Sequence, residues 1–299
     1  MLNSLIIKTL PLMPKPLVAS VAKKYIAGST LSQAVNVTKE LALKGAFATI
    51  DVLGEFVDSK QQAEHEFRSS MEVLDAIKEH KLQAYLSIKP TSLGLGIDVN
   101  YGYNHIAQIV KKADSFGIFV RMDMENTPYT TDTLNAYKKL RAEGLSNCGV
   151  VLQAYLKRTQ QDIRELADYK PNIRLCKGIY VESDSVAFKH PEEIRKNYKE
   201  CFHLLMESAT KVGIATHDDV LIDSAVEYVK KHNIAREQYE FQMLLGVREN
   251  KRDSIIAAGH SMRIYVPFGE DWYGYSIRRL KENPAVARNV IKAFFSPNS

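Results

Sequence analysis

Short apolar runs alternate with amphipathic stretches along most of the chain, and the two kinds differ in period. The runs AFATIDV (46–52), LQAYLSI (82–88), GIFVRMD (117–123), GVVLQAYL (149–156), NIRLCK (172–177), GIAT (213–216), YEFQML (239–244) and MRIYVPF (262–268) have the length and residue types of strands. Between them, stretches such as 60–80, 131–143, 192–210, 219–232 and 247–258 gather their apolar residues on one helical face. Most of the strands read as apolar on both faces, the pattern of parallel strands covered by crossover helices. No GxGxxG turn follows the first strand, so a doubly wound dinucleotide fold loses ground to a closed (βα)8 barrel of class α/β. No low-complexity linker divides the chain. One domain is expected over 1–299, with an N-terminal helical region (1–44), a barrel core (45–284) and a C-terminal helix or tail (285–299).

Composition narrows the function classes. With 45% hydrophobic and 25% charged residues, the chain has the balance of a soluble enzyme. The net charge of +5 carries no block of consecutive basic residues, so nucleic acid is not an expected partner. Cys148, Cys176 and Cys201 form no CxxC pair, and the histidines include no HExxH; neither a disulfide framework nor a metal site is expected. The N-terminal segment is apolar but broken by Lys8, Pro11, Pro14, Lys15 and Pro16, too short a run to span a membrane. A capping helix is the expected role for it, with peripheral membrane contact as the alternative.

The residues at successive strand ends are Asp51, Lys89, Asp123, Gln153, Lys177, Thr216 with His217, Gln242 and Tyr265. A barrel carries all eight ends to one rim, where active sites are built. Polar groups at one strand end mean little; at all eight they indicate a ligand-filled mouth. In VRMDMEN (120–126), Arg121, Asp123 and Glu125 alternate and share one orientation, and Asp123 is placed to pair with Lys89. RLCKGIYVE (174–182) offers Arg174 and Lys177 to a phosphate or an electron-rich ring, and Gly178 permits close backbone approach. ATHDD (215–219) ends a strand with Thr216 and His217 and opens a helix, a geometry suited to a pyrophosphate. Gln153 and Gln242 could each read a ring edge through the amide. For each of these an ordinary salt bridge or turn is the competing reading.

WYGYSIRRLKEN (272–283) adds an anion clamp. Tyr275, Arg278, Arg279 and Glu282 fall at i, i+3, i+4 and i+7, on one helical face. Adjacent guanidiniums match a carboxylate bidentately, and Glu282 can hold one of them in place. A solvated basic helix is the alternative. A set of amides, arginines, tyrosines and one histidine resembles a site that orients a cofactor and leaves the hard chemistry to it.

Taken together and in order, SIKPTSLGLG, VRMDMEN, LQAYLKR, RLCKGIY, ATHD, EFQMLLG, RIYVPFG and WYGYSIRRLKEN resemble the proline dehydrogenase family over residues 45 to 284. The resemblance implies a distorted (βα)8 TIM barrel with an N-terminal helical segment and a final helix over the mouth. It implies noncovalent FAD and oxidation of L-proline to 1-pyrroline-5-carboxylate, the first step of proline catabolism, with electrons passed to a membrane quinone. By motif, Arg278 and Arg279 would grip the proline carboxylate, with Glu282 orienting them and Lys89 and Asp123 lining the pocket. Tyr265, Tyr275 and Leu244 would pack on the pyrrolidine ring. Asp123, Met124, Gln153, Arg174, Lys177, Gly178, Ile179, Thr216, His217 and Gln242 would hold the flavin, with Arg174 the candidate for stabilising its reduced form. Asp123, Arg174, Lys89, Tyr265 and Tyr275 are the expected catalytic set.

Ile179 and Cys176 depart from the alanine and valine common in the family. The chain lacks room for a fused aldehyde-dehydrogenase domain, so a separate pyrroline-5-carboxylate dehydrogenase would take the product. The expected location is cytoplasmic, peripheral on the inner face of the membrane. Two other readings compete: a barrel aldolase using Lys177 or Lys89 as Schiff-base nucleophile, and a non-catalytic amino-acid-binding barrel.

Overall fold

The computed structural model describes residues 24–54, 56–273 and 275–277. Eight strands, β1 (Phe47–Val52), β2 (Ala84–Ile88), β3 (Val120–Met122), β4 (Cys148–Gln153), β5 (Asn172–Cys176), β6 (Lys211–Ala215), β7 (Tyr239–Leu244) and β8 (Met262–Phe268), pair in sequence order and close into a barrel. Every pairing is parallel, including the closing pair of β1 with β8. Helix α1 (Leu31–Leu43) precedes the barrel, and α2 (Lys60–Glu79), α3 (Val99–Phe116), α4 (Thr127–Ala142), α5 (Thr159–Leu166), α6 (Pro191–Ser208), α7 (Asp219–Lys231) and α8 (Glu249–Ala257) follow β1 to β7 in turn. The α/β (βα)8 barrel read from the sequence is therefore the fold observed. Of the helix expected over the mouth only residues 272, 273 and 275–277 are described, and the segment ahead of residue 24 lies outside the described residues.

Local chemistry sets the helix boundaries. Thr30 caps α1 in a reciprocal box with Gln33, and the side chains of Ser59 and Asp98 accept backbone N–H groups at the starts of α2 and α3. Among the described residues, no helix is long and apolar enough to cross a membrane.

The strands are not apolar on both faces, as their composition suggested. Residues that alternate along each strand divide cleanly. Ala48, Ile50, Leu86, Ile88, Val120, Met122, Val150, Leu152, Ile173, Leu175, Val212, Ile214, Phe241, Met243, Ile264 and Val266 form the core between sheet and helices. The intervening positions point into the barrel and are mostly polar: Thr49, Asp51, Ser87, Arg121, Gln153, Arg174, Glu240, Gln242 and Arg263 are all buried. Apolar burial on the helix side supplies the driving force at roughly 25 cal/mol per Å². The interior is held by polar bonds between strands that are not neighbours.

Candidate active site

The interior bonds begin at the floor. Glu240 on β7 accepts Arg263 Nε at 2.6 Å and Lys211 Nζ at 3.1 Å. Burial alone would raise this carboxyl, but Arg263 and then Lys211 overcome it and hold Glu240 at about 2. Arg263 also stacks on Tyr85, its guanidinium carbon 3.5 Å from the ring centroid. Arg121 on β3 donates to the carbonyls of Val150 (2.9 Å) and Asn172 (2.6 Å), and burial, with Arg174 second, lowers it to about 9. Arg121 is thus a structural strut below the mouth.

One layer higher, Arg174 on β5 reaches across the barrel. Its Nη1 donates to Asp123 Oδ1 at 2.7 Å, and its Nε donates to Gln242 Oε1 at 2.6 Å. Asp123 also accepts the Ser87 hydroxyl at 2.9 Å and the Tyr265 hydroxyl at 2.8 Å. Desolvation, with Asp123 and Asp51 adding to it, pushes the Tyr265 hydroxyl far above the usual phenol value, so it remains a proton donor.

At the rim, Lys89 donates to both carboxylate oxygens of Asp51, at 2.6 and 2.7 Å, and lies 3.4 Å from the Tyr265 hydroxyl. The pairing of Asp123 with Lys89 expected from the sequence is therefore corrected: Asp123 takes Arg174 as its ionic partner, and Lys89 takes Asp51. Asp51 is 1% exposed, and burial raises its carboxyl despite Lys89. Beside them the carboxyl of Glu66, on α2, packs against Gly54, and burial pushes it up to about 7.

The remaining expected residues ring the same mouth. Gln153 Nε2 donates to the Glu125 carbonyl at 2.9 Å, while its Oε1 takes no hydrogen bond from the described residues. Glu125 does not continue the Arg121–Asp123 row, because β3 ends at Met122; its carboxylate instead turns to the N–H and hydroxyl of Thr91. Met124 is buried against the core. His217 Nε2 accepts the Leu244 N–H at 3.0 Å, which puts the proton of a neutral ring on Nδ1. The Thr216 hydroxyl accepts the Asp218 N–H at 3.2 Å. Lys177 forms an ion pair with Asp218 at 3.2 Å and keeps 44% of its side chain exposed. Gly178 has φ +106, and a Cβ there would sit 2.1 Å from the Tyr155 ring, so only glycine fits this turn. Ile179 is half exposed and Val181 is 99% exposed on the same loop.

Gln242 meets Arg174 through Oε1 and Glu240 through Nε2 at 2.7 Å, so one end of its amide faces each. Neither Lys89 nor Lys177 sits in the apolar pocket that an amine nucleophile needs, since each is ion-paired to an aspartate. Tyr275 is buried with Tyr25, Ile26 and Leu53, which places the last described turn against the barrel. Arg278, Arg279 and Glu282 lie outside the described residues. Asp51, Ser87, Glu66 and Glu240 belong to the network without having been assigned roles. Asp51 and Glu240 carried a usable signal, a carboxylate in an apolar strand at the same parity as other polar residues. Ser87 and Glu66 had none.

The donor set fits a flavin. Arg174 has one guanidinium nitrogen, Nη2, with no bond to the described residues, and the Gln153 Oε1 acceptor is likewise open, both on buried side chains. A hydrogen-bonding ring edge is the natural complement to such a pair.

Comparison with known proteins gives the chain's family. The family model described as proline dehydrogenase matches residues 34–292. The chain is 38% identical over 271 residues to "Proline dehydrogenase 1" of Bacillus subtilis (strain 168), covering 91% of this chain and 89% of that protein. It is 33% identical over 277 residues to "Proline dehydrogenase" of Deinococcus radiodurans, with the same coverages of 91% and 89%. Among solved structures, proline utilization A (PutA) from Bdellovibrio bacteriovorus, inactivated by N-propargylglycine, superposes with TM-score 0.83 at 24% identity. That match covers 94% of this chain but 34% of the longer one, so the chain spans about a third of that protein and the likeness bears on fold. On the family match and the two relatives, the chain belongs to the proline dehydrogenase family.

Proposed function

We propose that the protein oxidises L-proline to 1-pyrroline-5-carboxylate with noncovalently held FAD and passes the electrons to a membrane quinone. The observation that carries this reading is the buried Arg174–Asp123–Tyr265 triangle beside the Lys89–Asp51 pair, all at the strand-end mouth. When bound, the flavin supplies an acceptor for the hydride that leaves the pyrrolidine ring.

The chain's own residues do the rest. Met124, Gln153, Arg174, Lys177, Gly178, Ile179, Thr216 and His217 would hold the flavin. Arg174, fixed by Asp123 and Gln242, would hold its guanidinium beside the flavin and favour the negative charge that reduction brings. Tyr265 is held through its hydroxyl and gives an apolar wall to the substrate ring, with Leu244 and Tyr275 beside it. Arg278 and Arg279, steadied by Glu282, would clamp the carboxylate, and Lys89 would border the same pocket. Fixing the ring close to its acceptor converts a bimolecular encounter into a positioned one.

We place the enzyme in the cytoplasm, in peripheral contact with the membrane that holds its quinone, as one barrel domain over residues 1–299. A separate pyrroline-5-carboxylate dehydrogenase would consume the product. Incubation of the purified protein with L-proline and a soluble quinone should yield a product that has lost a hydride and a proton relative to proline. No quinone consumed with proline, together with a lysine adduct trapped by borohydride from an aldehyde or ketone substrate, would instead establish the aldolase alternative.

A further inference from the structure

Glu240 lies one layer below the site, and one of the bonds it makes, to Gln242, bears on Arg174. Its Oε1 accepts the Gln242 Nε2–H at 2.7 Å, so the amide group of Gln242 must face Glu240 and its carbonyl must face Arg174. An amide left to itself could present either end, because oxygen and nitrogen differ little in size. Opposite a guanidinium, which only donates, the flipped amide would set N–H against N–H. Carboxylate and guanidinium therefore select the same orientation, and Glu240 locks the carbonyl of Gln242 onto Arg174.

The device is rigid. Glu240 is 1% exposed and is gripped by Arg263 at 2.6 and 3.2 Å and by Lys211 at 3.1 Å. On the neighbouring strand, Gly213 leaves the space that Gln242 occupies: a Cβ there would stand 2.4 Å from Gln242 Nε2. With Nε on Gln242 and Nη1 on Asp123, Arg174 is held at two points, and its Nη2 is aimed by both.

We propose that Glu240 is a positioning residue for the reaction, acting through Gln242 to fix the guanidinium of Arg174 at the cofactor face of the barrel. The proposal rests on the reading that a flavin binds beside Arg174. It makes a prediction about sign that a simple charge effect would reverse. Removing a buried negative charge leaves Arg263 and Lys211 uncompensated, and by electrostatics alone this favours the reduced cofactor. Releasing Arg174 disfavours it.

The test uses the flavin-loaded enzyme and three variants: Glu240→Gln, Gln242→Met and the double. Midpoint potential and steady-state kinetics are measured on each. Both single variants should prefer the reduced cofactor about tenfold less, a fall of about 30 mV for a two-electron couple. The turnover rate kcat should drop about tenfold, and KM for proline should stay within about twofold. The double variant should show no further fall, because both changes cut one connection. A rise in potential in Glu240→Gln, additive losses in the double variant, or singles that change only Tm would overturn the proposal. Should Glu240→Gln fail to fold, Gly213→Ala displaces Gln242 while leaving the floor ion pairs intact, and it must lower the potential in the same direction; an unchanged potential there overturns the proposal equally. Failure of wild-type protein to bind flavin at all would count against the proposed function, and is distinguishable from every one of these results.

Discussion

Arg174 on β5 and Asp123 at the end of β3 meet across the barrel interior, Nη1 to Oδ1 at 2.7 Å, although β4 lies between their strands. Their side chains are only 9% and 15% exposed. The pair joins the two halves of the mouth, and Ser87 and Tyr265 complete the coordination of the carboxylate.

Asp123→Ala should therefore cost both stability and turnover. Leaving one charge of a buried pair without its partner typically costs about 3–5 kcal/mol. Chemical denaturation should show a loss of that order, and kcat/KM for proline should fall by more than about a hundredfold, since about 3 kcal/mol of lost transition-state stabilisation would suffice. A variant as stable and active as wild type would show that the pair is incidental.

Lys89 and Asp51 should behave as a unit. Lys89→Met leaves Asp51 buried without its counter-charge, and Asp51→Asn leaves Lys89 the same. The double variant removes both charges, so it should recover at least about 1–2 kcal/mol of the summed single losses. Strict additivity in a double-mutant cycle would contradict the 2.6 and 2.7 Å contacts.

Stability should fall in acid through Glu240. Its carboxyl is held at about 2, below the ordinary value of 4.5, because Arg263 and Lys211 outweigh the cost of burial. A depressed carboxyl contributes stability that is fully present above its unfolded value and lost as pH falls through the folded one. The difference corresponds to about 3 kcal/mol, disappearing between pH 4.5 and about 2. Urea midpoints measured across that window should show the decline, and Glu240→Gln should remove that share of it. An identical slope in the variant would assign the acid loss elsewhere.

Tyr265 should set ring selectivity. In the proposed pocket a tyrosine fixed by Asp123 at 2.8 Å would crowd the place where 4-hydroxyproline carries its hydroxyl, and an unmatched buried hydroxyl costs about 1–3 kcal/mol. Proline should be preferred by roughly tenfold to a hundredfold in kcat/KM. Tyr265→Ser should narrow the gap, chiefly by weakening turnover of proline. An unchanged ratio would remove Tyr265 from the pocket.

The fold was legible because helix and strand periods differ and because eight strand ends carried polar residues. What misled was composition read without parity. MRIYVPF looks apolar on both faces, yet Arg263 and Tyr265 turn inward while Met262, Ile264 and Val266 pack on helices. Two polar residues among seven, spaced by two, already carried that information. The partner of Asp123 was not legible. Choosing Arg174 over Lys89 depends on which side chains cross the barrel, and neighbouring strand ends are only a default. Gln242 shows the same limit: its residue type allows many contacts, and only the positions of Glu240 and Arg174 show which end meets which.

As proposed, the barrel holds FAD noncovalently and L-proline reduces it. The direct measurement is the visible absorption spectrum of the purified protein under anaerobic conditions, before and after L-proline, followed by acid precipitation. An oxidised flavin band should bleach on addition of proline, and free FAD should appear in the supernatant after precipitation. A flavin band indifferent to proline, or a flavin that stays with the precipitated chain, would contradict the proposal.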